Sequence, residues 1–578
     1  MEIFTGKLRF LLRLEAVNFD KTAMDVADLS AIRGGGEAML AAPGMIIERL
    51  ASAMEGVDRG CRVERIFTAA SMTLVRIAGS EAISEGGIRE ALESILDSFD
   101  RAAAHALLHP AKGVMPSADQ LFPLIWPHLT FAVGLAAFGD DENEAMRKAE
   151  AAARRSQFAR LTVDVPPPAD PDFGIASTGW PCTEDRVRPR GVCWYLPRSG
   201  DTGLDYELSW SVALRRCLGR SGRRIEYYRR IISDSFALEN CRGFVDHFGE
   251  IVEQDGASWQ SSVPEQHRGK MAVVWLDANR LTYWREELVR DSATMAEFSD
   301  GMMALRARFL QELMTFADRL ECMRLDDPDR EWTDGAPRKL PVLRFETLIW
   351  GADECLFVFP AWATKVMMEK IAALLQPDQW RLTVGGRTAE IAHAAGLVLC
   401  SHKAPIRTVT HLAQDLADAA KDHDRLRSMF QYWIMGQIDL PTRPLASERK
   451  AMYAISPKTQ PRAFTLPLAR FGDAMRTIAR VKGGGSERDE GIPRSRIADI
   501  VLEATGSIPG APAVDVEWEV EKLLRSGPYE AFAPDDLLGP AFGDGGAEAK
   551  HAPLIHLLEF WPFATIDLDP ARALPATE

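Results

Sequence analysis

One acidic hairpin constrains the fold of this chain more than any other stretch of its sequence. Two apolar runs rich in β-branched and aromatic residues lie within 342–359, and they flank the turn Gly-Ala-Asp-Glu at 351–354. Runs of this kind around a short turn predict two antiparallel strands. The pattern therefore places the carboxylates of Asp353 and Glu354 together at one end of a β-sheet.

A further carboxylate closes another predicted strand. Asp277 comes at the end of the apolar run 271–279, MAVVWLDAN. With this strand beside the hairpin, Asp277, Asp353 and Glu354 could hold two Mg²⁺ or Mn²⁺ ions roughly 4 Å apart. Such a pair of ions supports nucleotidyl transfer, because one activates the attacking hydroxyl and the other neutralises the leaving pyrophosphate. An acidic turn without chemistry is also common, and that alternative stays open.

Other residues near these strands are candidates for contacts with a nucleotide. Gly351 can adopt a positive φ in a tight turn, and together with the small Ala352 it leaves room for a triphosphate. Asn279 follows its strand at a predicted helix start, where backbone N–H groups could hold phosphate or ribose. Lys403 follows a later strand and Lys421 ends the next helix, so either could pair with phosphate oxygens. Lysines at helix ends are more often solvated.

Two segments of the chain share one order of predicted elements. The first starts with the strand 8–17 and the second with the strand 271–279, and each continues as helix, hairpin, helix, strand and helix. This repeat predicts an α+β fold with two ferredoxin-like palm domains, each an open sheet backed by helices on one face. The first copy has only Glu15 near the position of Asp277 and no carboxylate in its turn, so we expect it to be structural.

The length of the chain requires several domains. A chain of 578 residues is too long for a single core, and a proline-rich stretch at 163–174 marks a boundary. The predicted parts are a non-catalytic palm-like domain over 1–165, a linking region over 166–265, a catalytic palm domain over 266–440 and a helical C-terminal domain over 441–578.

The charge balance argues against a generally basic nucleic-acid-binding protein, since the formal net charge is −15. The arginine-rich stretch Arg215–Arg230 could still contact RNA or nucleotide phosphates, although a solvated helix face explains it equally well. No run of about 18 apolar residues predicts a membrane span, and the start of the sequence lacks the pattern of a secretory signal. We therefore expect a cytoplasmic protein without a membrane contact.

The eight cysteines are scattered and contain no Cys-x-x-Cys pair. Ten residues separate Cys182 from Cys193, whereas structural zinc usually uses a tighter pair. Buried or free thiols explain these cysteines better than zinc does, which stays an alternative. Reduced thiols fit the expected cytoplasmic location.

With these residues in view, the chain resembles the large subunit of type III CRISPR effector complexes. The turn at 351–354 is similar to the Gly-Gly-Asp-Asp turn in the second palm domain of that family. The other matching stretches are DVADLSAIRGGGEAML at 25–40, WPCTEDRVRP at 180–189, AGLVLCSHKAPIRTVTHLAQDLADAAK at 395–421, RAFTL at 462–466 and IPRSRIADIVLEA at 492–504. The resemblance spans most of the chain, but its specific motif lies in the second palm domain.

This resemblance implies an activity, cofactors and partners. The family makes cyclic oligoadenylates from ATP with divalent metal ions in antiviral defence. For this chain it implies a nucleotidyltransferase in which Asp277, Asp353 and Glu354 bind two Mg²⁺ or Mn²⁺ ions. It also implies guide or target RNA and CRISPR backbone subunits as partners. The sequence shows no counterpart of the nuclease domain that many relatives carry, and its linking region lacks a full set of zinc ligands.

Two departures from the family motif leave other functions open. Ala352 replaces a glycine and Glu354 replaces an aspartate, and both changes could alter the metal geometry. One alternative is a catalytically silent scaffold that binds RNA or a partner protein. Another is a cyclase with a shorter product, because the diguanylate cyclases with a GGDEF turn are more distantly similar and use guanine nucleotides.

Overall fold

The structure is a computed structural model that describes most of the chain. The described residues are 8–18, 22–69, 71–109, 116–139, 141–159, 182–186, 188, 190–194, 206–220, 225–254, 263–326, 341–351, 353–436, 441, 443–483, 491–507, 514–526, 528–539 and 549–564. Within these ranges, none of the helices combines the length and the apolar character needed to cross a membrane.

The N-terminal part of the chain forms a four-stranded antiparallel sheet. Its elements in chain order are β1 (Leu8–Val17), α1 (Leu29–Val57), β2 (Arg62–Ala69), β3 (Met72–Gly79), α2 (Glu85–Asp97), α3 (Arg101–Leu108), α4 (Ala118–Ile125), β4 (Thr130–Phe138) and α5 (Glu142–Ala159). The strands lie in the order β2-β3-β1-β4. The sequence predicts one helix over 83–107, but Asp100 caps a new helix by accepting a hydrogen bond from Ala103 N, which separates α2 from α3.

Both faces of this sheet are covered. Alternate side chains of a strand point to opposite faces, and Leu12 belongs to the main core whereas Leu11 packs with Ala145 and Ala149 of α5. Gly134 on β4 allows this packing, because a Cβ there would lie 1.8 Å from the carbonyl oxygen of Ala149. The prediction of helices on one face only is therefore wrong for this sheet.

The middle of the chain is held tightly against α1. Its elements are β5 (Val192–Trp194), β6 (Tyr206–Leu208), α6 (Trp210–Arg220), α7 (Ile225–Ile231) and the short α8 (Phe248–Ile251). A Cβ at Gly34 of α1 would lie 1.8 Å from the carbonyl oxygen of Arg215, and one at Gly219 of α6 would lie 1.9 Å from that of Ser30. The two helices thus cross with their backbones in contact, which only glycine allows at these positions.

The arginine-rich stretch begins with two buried residues. Arg215 is 0% and Arg216 is 4% exposed, and they form ion pairs with Asp25 at 2.9 Å and Asp28 at 3.3 Å. A buried, paired guanidinium is not available to a phosphate backbone. Arg215 and Arg216 therefore belong neither to an RNA-binding surface nor to a solvated helix face, and both predictions fail for these two residues.

The larger sheet follows and carries the acidic hairpin. Its part of the chain contains β7 (Lys270–Ala278), α9 (Leu281–Leu288), α10 (Ser292–Arg319), β8 (Arg324–Leu325), β9 (Val342–Leu343), β10 (Glu346–Trp350), β11 (Glu354–Pro360), α11 (Thr364–Leu374), β12 (Arg381–Val384), β13 (Arg387–Glu390), β14 (His393–Ser401), α12 (Ile406–His423), β15 (Met429–Ile434), α13 (Leu445–Tyr453), α14 (Gln460–Phe464) and β16 (Leu466–Pro467). Six strands pair in the order β10-β11-β7-β14-β15-β16.

The two sheets share the order of their first four strands. In each sheet the hairpin lies beside the first strand, and the last strand of the repeat lies on the other side of the first. The predicted common order of elements is therefore confirmed. The larger sheet adds β15, which runs parallel to β14, and the short β16. The sequence did not predict these strands or the hairpin β12–β13.

The two sheets are joined by direct contacts. Phe67 and Leu74 of the first sheet pack with Met295 of α10. The buried Arg33 of α1 donates through Nε to Glu346 of β10 at 2.8 Å. A buried ion pair is sensitive to the loss of either partner, so α1 is tied to the strand that leads into the acidic turn.

The C-terminal part of the chain is helical, as the sequence predicts. It contains α15 (Phe471–Val481), α16 (Arg494–Ala504), α17 (Val516–Arg525), α18 (Pro534–Leu538) and α19 (Ala552–Phe560). It is joined to the larger sheet by buried hydrogen bonds, since Tyr432 Oη of β15 lies 2.6 Å from His556 Nδ1 of α19. The other ring nitrogen of His556 lies 2.7 Å from the carbonyl oxygen of Ala463.

Candidate active site

The strand register brings the three predicted carboxylate residues to one edge of the larger sheet. Glu354, the first residue of β11, lies directly opposite Asp277 near the end of β7. The backbone N–H of Ala278 donates to the carbonyl oxygen of Asp353 at 2.9 Å. Because Cβ atoms of directly opposed residues are about 5 Å apart, Asp277, Asp353 and Glu354 form one acidic cluster.

The turn of the hairpin is closed by its own backbone. Gly351 N donates to the carbonyl oxygen of Glu354 at 2.8 Å. Gly351 is not among the residues with positive φ, and a Cβ there would come no closer than 3.4 Å to its neighbours. The prediction that Gly351 uses a positive φ is therefore wrong, although its small size does leave space beside the turn. Ala352 lies outside the described residues.

The acidic cluster is crowded with negative charge. Burial and, after it, the charges of Asp353 and Asp277 together raise the pKa of Glu354 to about 7, against the effect of Lys421. Burial and the charge of Asp353 also raise the pKa of Asp277, whereas Lys421 lowers it. Partly buried carboxylates that repel each other gain stability when a cation joins them. The residue types and their placement thus fit the hard, oxygen-ligated ions Mg²⁺ and Mn²⁺.

In the structure, the positive charge beside the acidic cluster is that of Lys421. Its Nζ donates to both carboxylate oxygens of Asp277, at 2.8 and 2.7 Å. Lys421 reaches the cluster because α12 lies directly on the sheet, where a Cβ at Gly396 of β14 would be 1.8 Å from the carbonyl oxygen of Ala413. In the part of the chain that the structure describes, no three His, Cys, Asp or Glu side chains are grouped to hold a metal ion. Metal binding here therefore requires the carboxylates to turn toward a common point.

Asn279 is next to this cluster but is buried. Its backbone N–H donates to the carbonyl oxygen of Ala392 at 2.7 Å, and the side chain is 1% exposed. Neither polar atom of its amide has a partner among the described residues. The predicted helix start is present, because α9 begins at Leu281 after Arg280, which has a φ of 59°. Asn279 thus lies close to the site without an open path to ribose or phosphate.

Lys403 lies away from the cluster. Strand β14 runs antiparallel to β7, and its last residue, Ser401, pairs with Lys270 at the opposite end from Asp277. At about 3.3 Å per residue, the length of the strand separates Lys403 from the acidic turn. The prediction that Lys403 contacts the triphosphate is therefore corrected: this lysine lies at the wrong end of the sheet.

A cavity of about 510 Å³ opens beside the acidic turn. Gly351 and Asp353 form part of its wall, and the remainder comes from both sheets and their helices. Named by element, the wall includes Glu37 and Met45 of α1, Phe67 of β2, Thr282 and Arg285 of α9, and Ser299, Met302 and Arg306 of α10. A cavity of this volume, largely apolar with a few polar groups, is typical of small-molecule sites.

Two cavity residues were not predicted from the sequence. Ser299 is buried, and its Oγ has no hydrogen-bond partner among the described residues, so a ligand atom could satisfy it. Arg306 is 6% exposed and contacts the turn directly. One signal was present in the sequence: Arg306 interrupts an apolar stripe with Met302, Phe309 and Leu313 at helical spacing.

The cysteines give no indication of a zinc site. Cys182 is a buried free thiol, and the side chain of Cys193 lies outside the described residues. No group of three or more potential metal ligands occurs in the ranges that the structure describes. Zinc at this pair of cysteines thus receives no support.

Comparison with known proteins gives matches only at the level of solved structures. No protein-family profile matches the chain, and no curated protein matches it. The crystal structure of Csm1 in T. onnurineus is 13% identical, with a TM-score of 0.48 over 97% of this chain and 70% of that one. A Csm1–Csm4 cassette in complex with one ATP is 11% identical, with a TM-score of 0.48 over 96% of this chain and 70% of that one.

A third matching structure is a Csm1–Csm4 subcomplex in the type III-A CRISPR-Csm interference complex. It is 12% identical, with a TM-score of 0.46 over 95% of this chain and 70% of the matched chain. At these identities and TM-scores, the matches assign no functional residue in this chain.

Proposed function

We propose that this protein is a metal-dependent nucleotidyltransferase that joins nucleoside triphosphates into a cyclic oligonucleotide, with ATP as the leading substrate. The single observation that supports it best is the register that sets Glu354 opposite Asp277 while Asp353 faces a cavity of about 510 Å³. Phosphoryl chemistry explains acidic residues at adjacent strand ends beside a nucleotide-sized cavity better than a purely structural turn does.

In this proposal each part of the site has a chemical task. The 3′-hydroxyl oxygen of one nucleotide attacks the α-phosphorus of another, the bond to the β-phosphate breaks, and pyrophosphate leaves. Two Mg²⁺ or Mn²⁺ ions held by Asp277, Asp353 and Glu354 would supply charge neutralisation and activation of the hydroxyl. Arg285 of the cavity wall, which pairs with Glu150 at 3.3 Å, and Lys421 beside Asp277 are the candidates to pair with phosphate oxygens.

The domain division follows from the same proposal. The segments 1–165 and 266–440 are two ferredoxin-like palm domains, 166–265 links them and 441–578 packs as a helical domain. The first palm domain binds no metal, but through α1 and β2 it provides one wall of the cavity. The sequence resemblance extends the proposal to antiviral defence, with RNA and other CRISPR subunits as partners.

A second function is favoured by one specific observation. Asp277 is already neutralised by Lys421, and no described side chains are grouped to hold a metal ion. A catalytically silent scaffold would retain such an arrangement. This reading predicts binding of RNA or a partner protein without turnover of nucleotide, and a steep salt dependence would mark the binding of RNA.

Mass spectrometry of reaction products separates the two functions. The full-length protein is incubated with each nucleoside triphosphate and Mn²⁺ or Mg²⁺, with and without RNA. We expect an oligonucleotide from the wild type and none from an Asp353→Ala/Glu354→Ala variant. Asp422→Ala is the matched control, because Asp422 is an exposed carboxylate that pairs only with Arg425 among the described residues. Absence of product and of nucleotide binding in the wild type would leave the scaffold as the better account.

A further inference from the structure

We infer that Arg306 is the positioning residue of the acidic turn. The guanidinium of Arg306 ties together the backbone on both sides of the turn, so that Asp353 and Glu354 are presented toward a shared cation. This inference rests on the proposed function, since it assigns the control of metal binding at the same site. It adds a residue that lies outside the family motif and that was not predicted from the sequence.

The contacts of Arg306 converge on the turn. Its Nη1 donates to the carbonyl oxygen of Gly351, and its Nη2 donates to that of Glu354 at 3.3 Å. The same Nη2 also lies 3.1 Å from Cys355 Sγ. The two carbonyl groups flank the residues that carry the acidic side chains, and Gly351 N and Glu354 O already close the turn at 2.8 Å. One side chain therefore contacts both ends of the turn, in addition to the backbone hydrogen bonds that hold it.

The aromatic ring of Trp350 holds the guanidinium in place. The Arg306 Cζ atom lies 4.4 Å from the centre of the Trp350 ring, which is within the range of a cation–π interaction. Trp350 is the last residue of β10, directly before the turn. A planar guanidinium can stack on a ring and donate two directed hydrogen bonds at once, and a lysine cannot reproduce both.

The charge of Arg306 is unusual in its surroundings. The side chain is buried, and no carboxylate oxygen lies within 4 Å of it among the described residues. It lines a second, small cavity together with Leu276 of β7, Phe309 of α10 and Trp380. Burial of a cation without an ion-pair partner is unfavourable unless its hydrogen bonds are satisfied. Packing alone would be met better by an apolar side chain, so the arginine is retained for what it binds.

Arg306 also connects the turn to the cavity. It contributes to the cavity wall together with Gly351 and Asp353, and it lies on α10, which also carries Ser299. A ligand that fills the cavity therefore contacts the side chain that holds the turn. In this arrangement the backbone that carries the carboxylates is set before the nucleotide arrives, which is the usual role of a residue that orients metal ligands.

The experiment uses full-length protein with Arg306→Met, Arg306→Lys and Arg308→Met. Arg308 is a matched control on the same helix, because it is exposed and donates to the carbonyl oxygen of Gln379. Hydrogen–deuterium exchange of the peptide 348–358 reports the turn without any metal, and electron paramagnetic resonance of Mn²⁺ reports the cation site. Folding of each variant is checked by thermal unfolding.

We expect faster exchange in the turn and about tenfold weaker Mn²⁺ binding for Arg306→Met. Arg306→Lys is expected to be intermediate, with a lower kcat and a nearly unchanged KM, and Arg308→Met to match the wild type. The inference would be overturned if Arg306→Met showed the same exchange in the turn and the same Mn²⁺ affinity as the wild type. If Arg306→Met does not fold, the inference would equally be overturned by an Arg306→Lys variant whose exchange and Mn²⁺ affinity match those of the wild type.

The same measurements separate this inference from the proposed function. Wild-type protein that binds Mn²⁺ no better than the Asp353→Ala/Glu354→Ala variant would refute the metal site. Faster exchange in Arg306→Met would then still show that Arg306 holds the turn. Strong Mn²⁺ binding that does not depend on Arg306 would refute the positioning role alone.

Discussion

The ammonium group of Lys421 binds both carboxylate oxygens of Asp277, at 2.7 and 2.8 Å, and so occupies the place of a cation in the acidic cluster. Lys421 was expected to contact phosphate, but its partner in the structure is a candidate metal ligand. Lys421 cannot bind Asp277 and a phosphate group at the same time, so it can serve these two roles only one after the other. It must leave Asp277 before metal binds, and it is then free to pair with a phosphate group.

Lys421→Met should therefore raise the affinity for Mn²⁺ in the absence of nucleotide. The change removes a competing positive charge and frees Asp277, and we expect binding to be about tenfold tighter. Product formation should nevertheless fall, because the phosphate loses a partner. Mn²⁺ titration followed by electron paramagnetic resonance gives the affinity. Lys403→Met is the control, and unchanged affinity in Lys421→Met would contradict the competition.

The contribution of Glu354 to the stability of the metal-free protein should fall as the pH rises from about 4.5 to about 7. The carboxyl of Glu354 has an ordinary pKa of 4.5 and a pKa of about 7 in the folded protein. Between these values the folded state binds more protons than the unfolded state, so stability is full below 4.5 and falls as the pH increases. We expect a loss of roughly 1–2 kcal/mol, since Glu354 is partly exposed and screened.

Unfolding curves at several pH values test this prediction. Glu354→Gln has no titrating carboxyl, so the difference in stability between the two proteins should change in favour of the variant as the pH rises. A difference that moves the other way, or that does not vary with pH, would show that burial does not raise the pKa of Glu354.

Ser299→Ala should weaken nucleotide binding without harming the fold. The Oγ of Ser299 is buried without a partner among the described residues, so its removal costs the ligand-free protein no hydrogen bond. If a bound nucleotide satisfies this hydroxyl, the variant should bind about five- to tenfold more weakly, which corresponds to roughly 1 kcal/mol. Isothermal titration with a nucleoside triphosphate measures the loss. Thermal unfolding should show a melting temperature equal to or above that of the wild type.

Gly34→Ala should destabilise the protein strongly. The new methyl group would lie 1.8 Å from the carbonyl oxygen of Arg215, so α1 and α6 would have to separate. Overpacking of this kind costs about 1–3 kcal/mol or more. Gly56→Ala is the control, because it lies on the same helix with no atom within 4 Å of the added methyl group. Equal melting temperatures for the two variants would rule out the close crossing.

The elements that were predicted well are those with a strong local pattern. β7 was recognised because it contains a continuous apolar run, and β1 because apolar residues predominate in it. The acidic hairpin was recognised because two apolar runs flank a short turn. β15 was missed because it is six residues long and pairs with β14 in parallel across the helix α12, which no local pattern reveals. The hairpin β12–β13 alternates buried and exposed residues over only four positions per strand.

The site was predictable only in part, because local sequence patterns do not reveal contacts between distant parts of the chain. Asp277, Asp353 and Glu354 could be proposed because strand ends and turns are visible in the sequence. The direction of β14 decides that Lys421 reaches the cluster and Lys403 does not, and strand direction depends on the whole sheet. The contact of Arg306 with the turn and the contribution of α1 to the cavity join residues far apart in the chain.

The cavity beside the acidic turn takes its walls from both halves of the polypeptide, including Met45 and Phe67 of the N-terminal half. Neither half can therefore be exchanged, trimmed or evolved as an independent module without remaking the surface that would meet the ligand. A substitution more than 280 positions before the acidic turn in the sequence, such as one at Phe67, would be recorded in an assay as a defect of the active site.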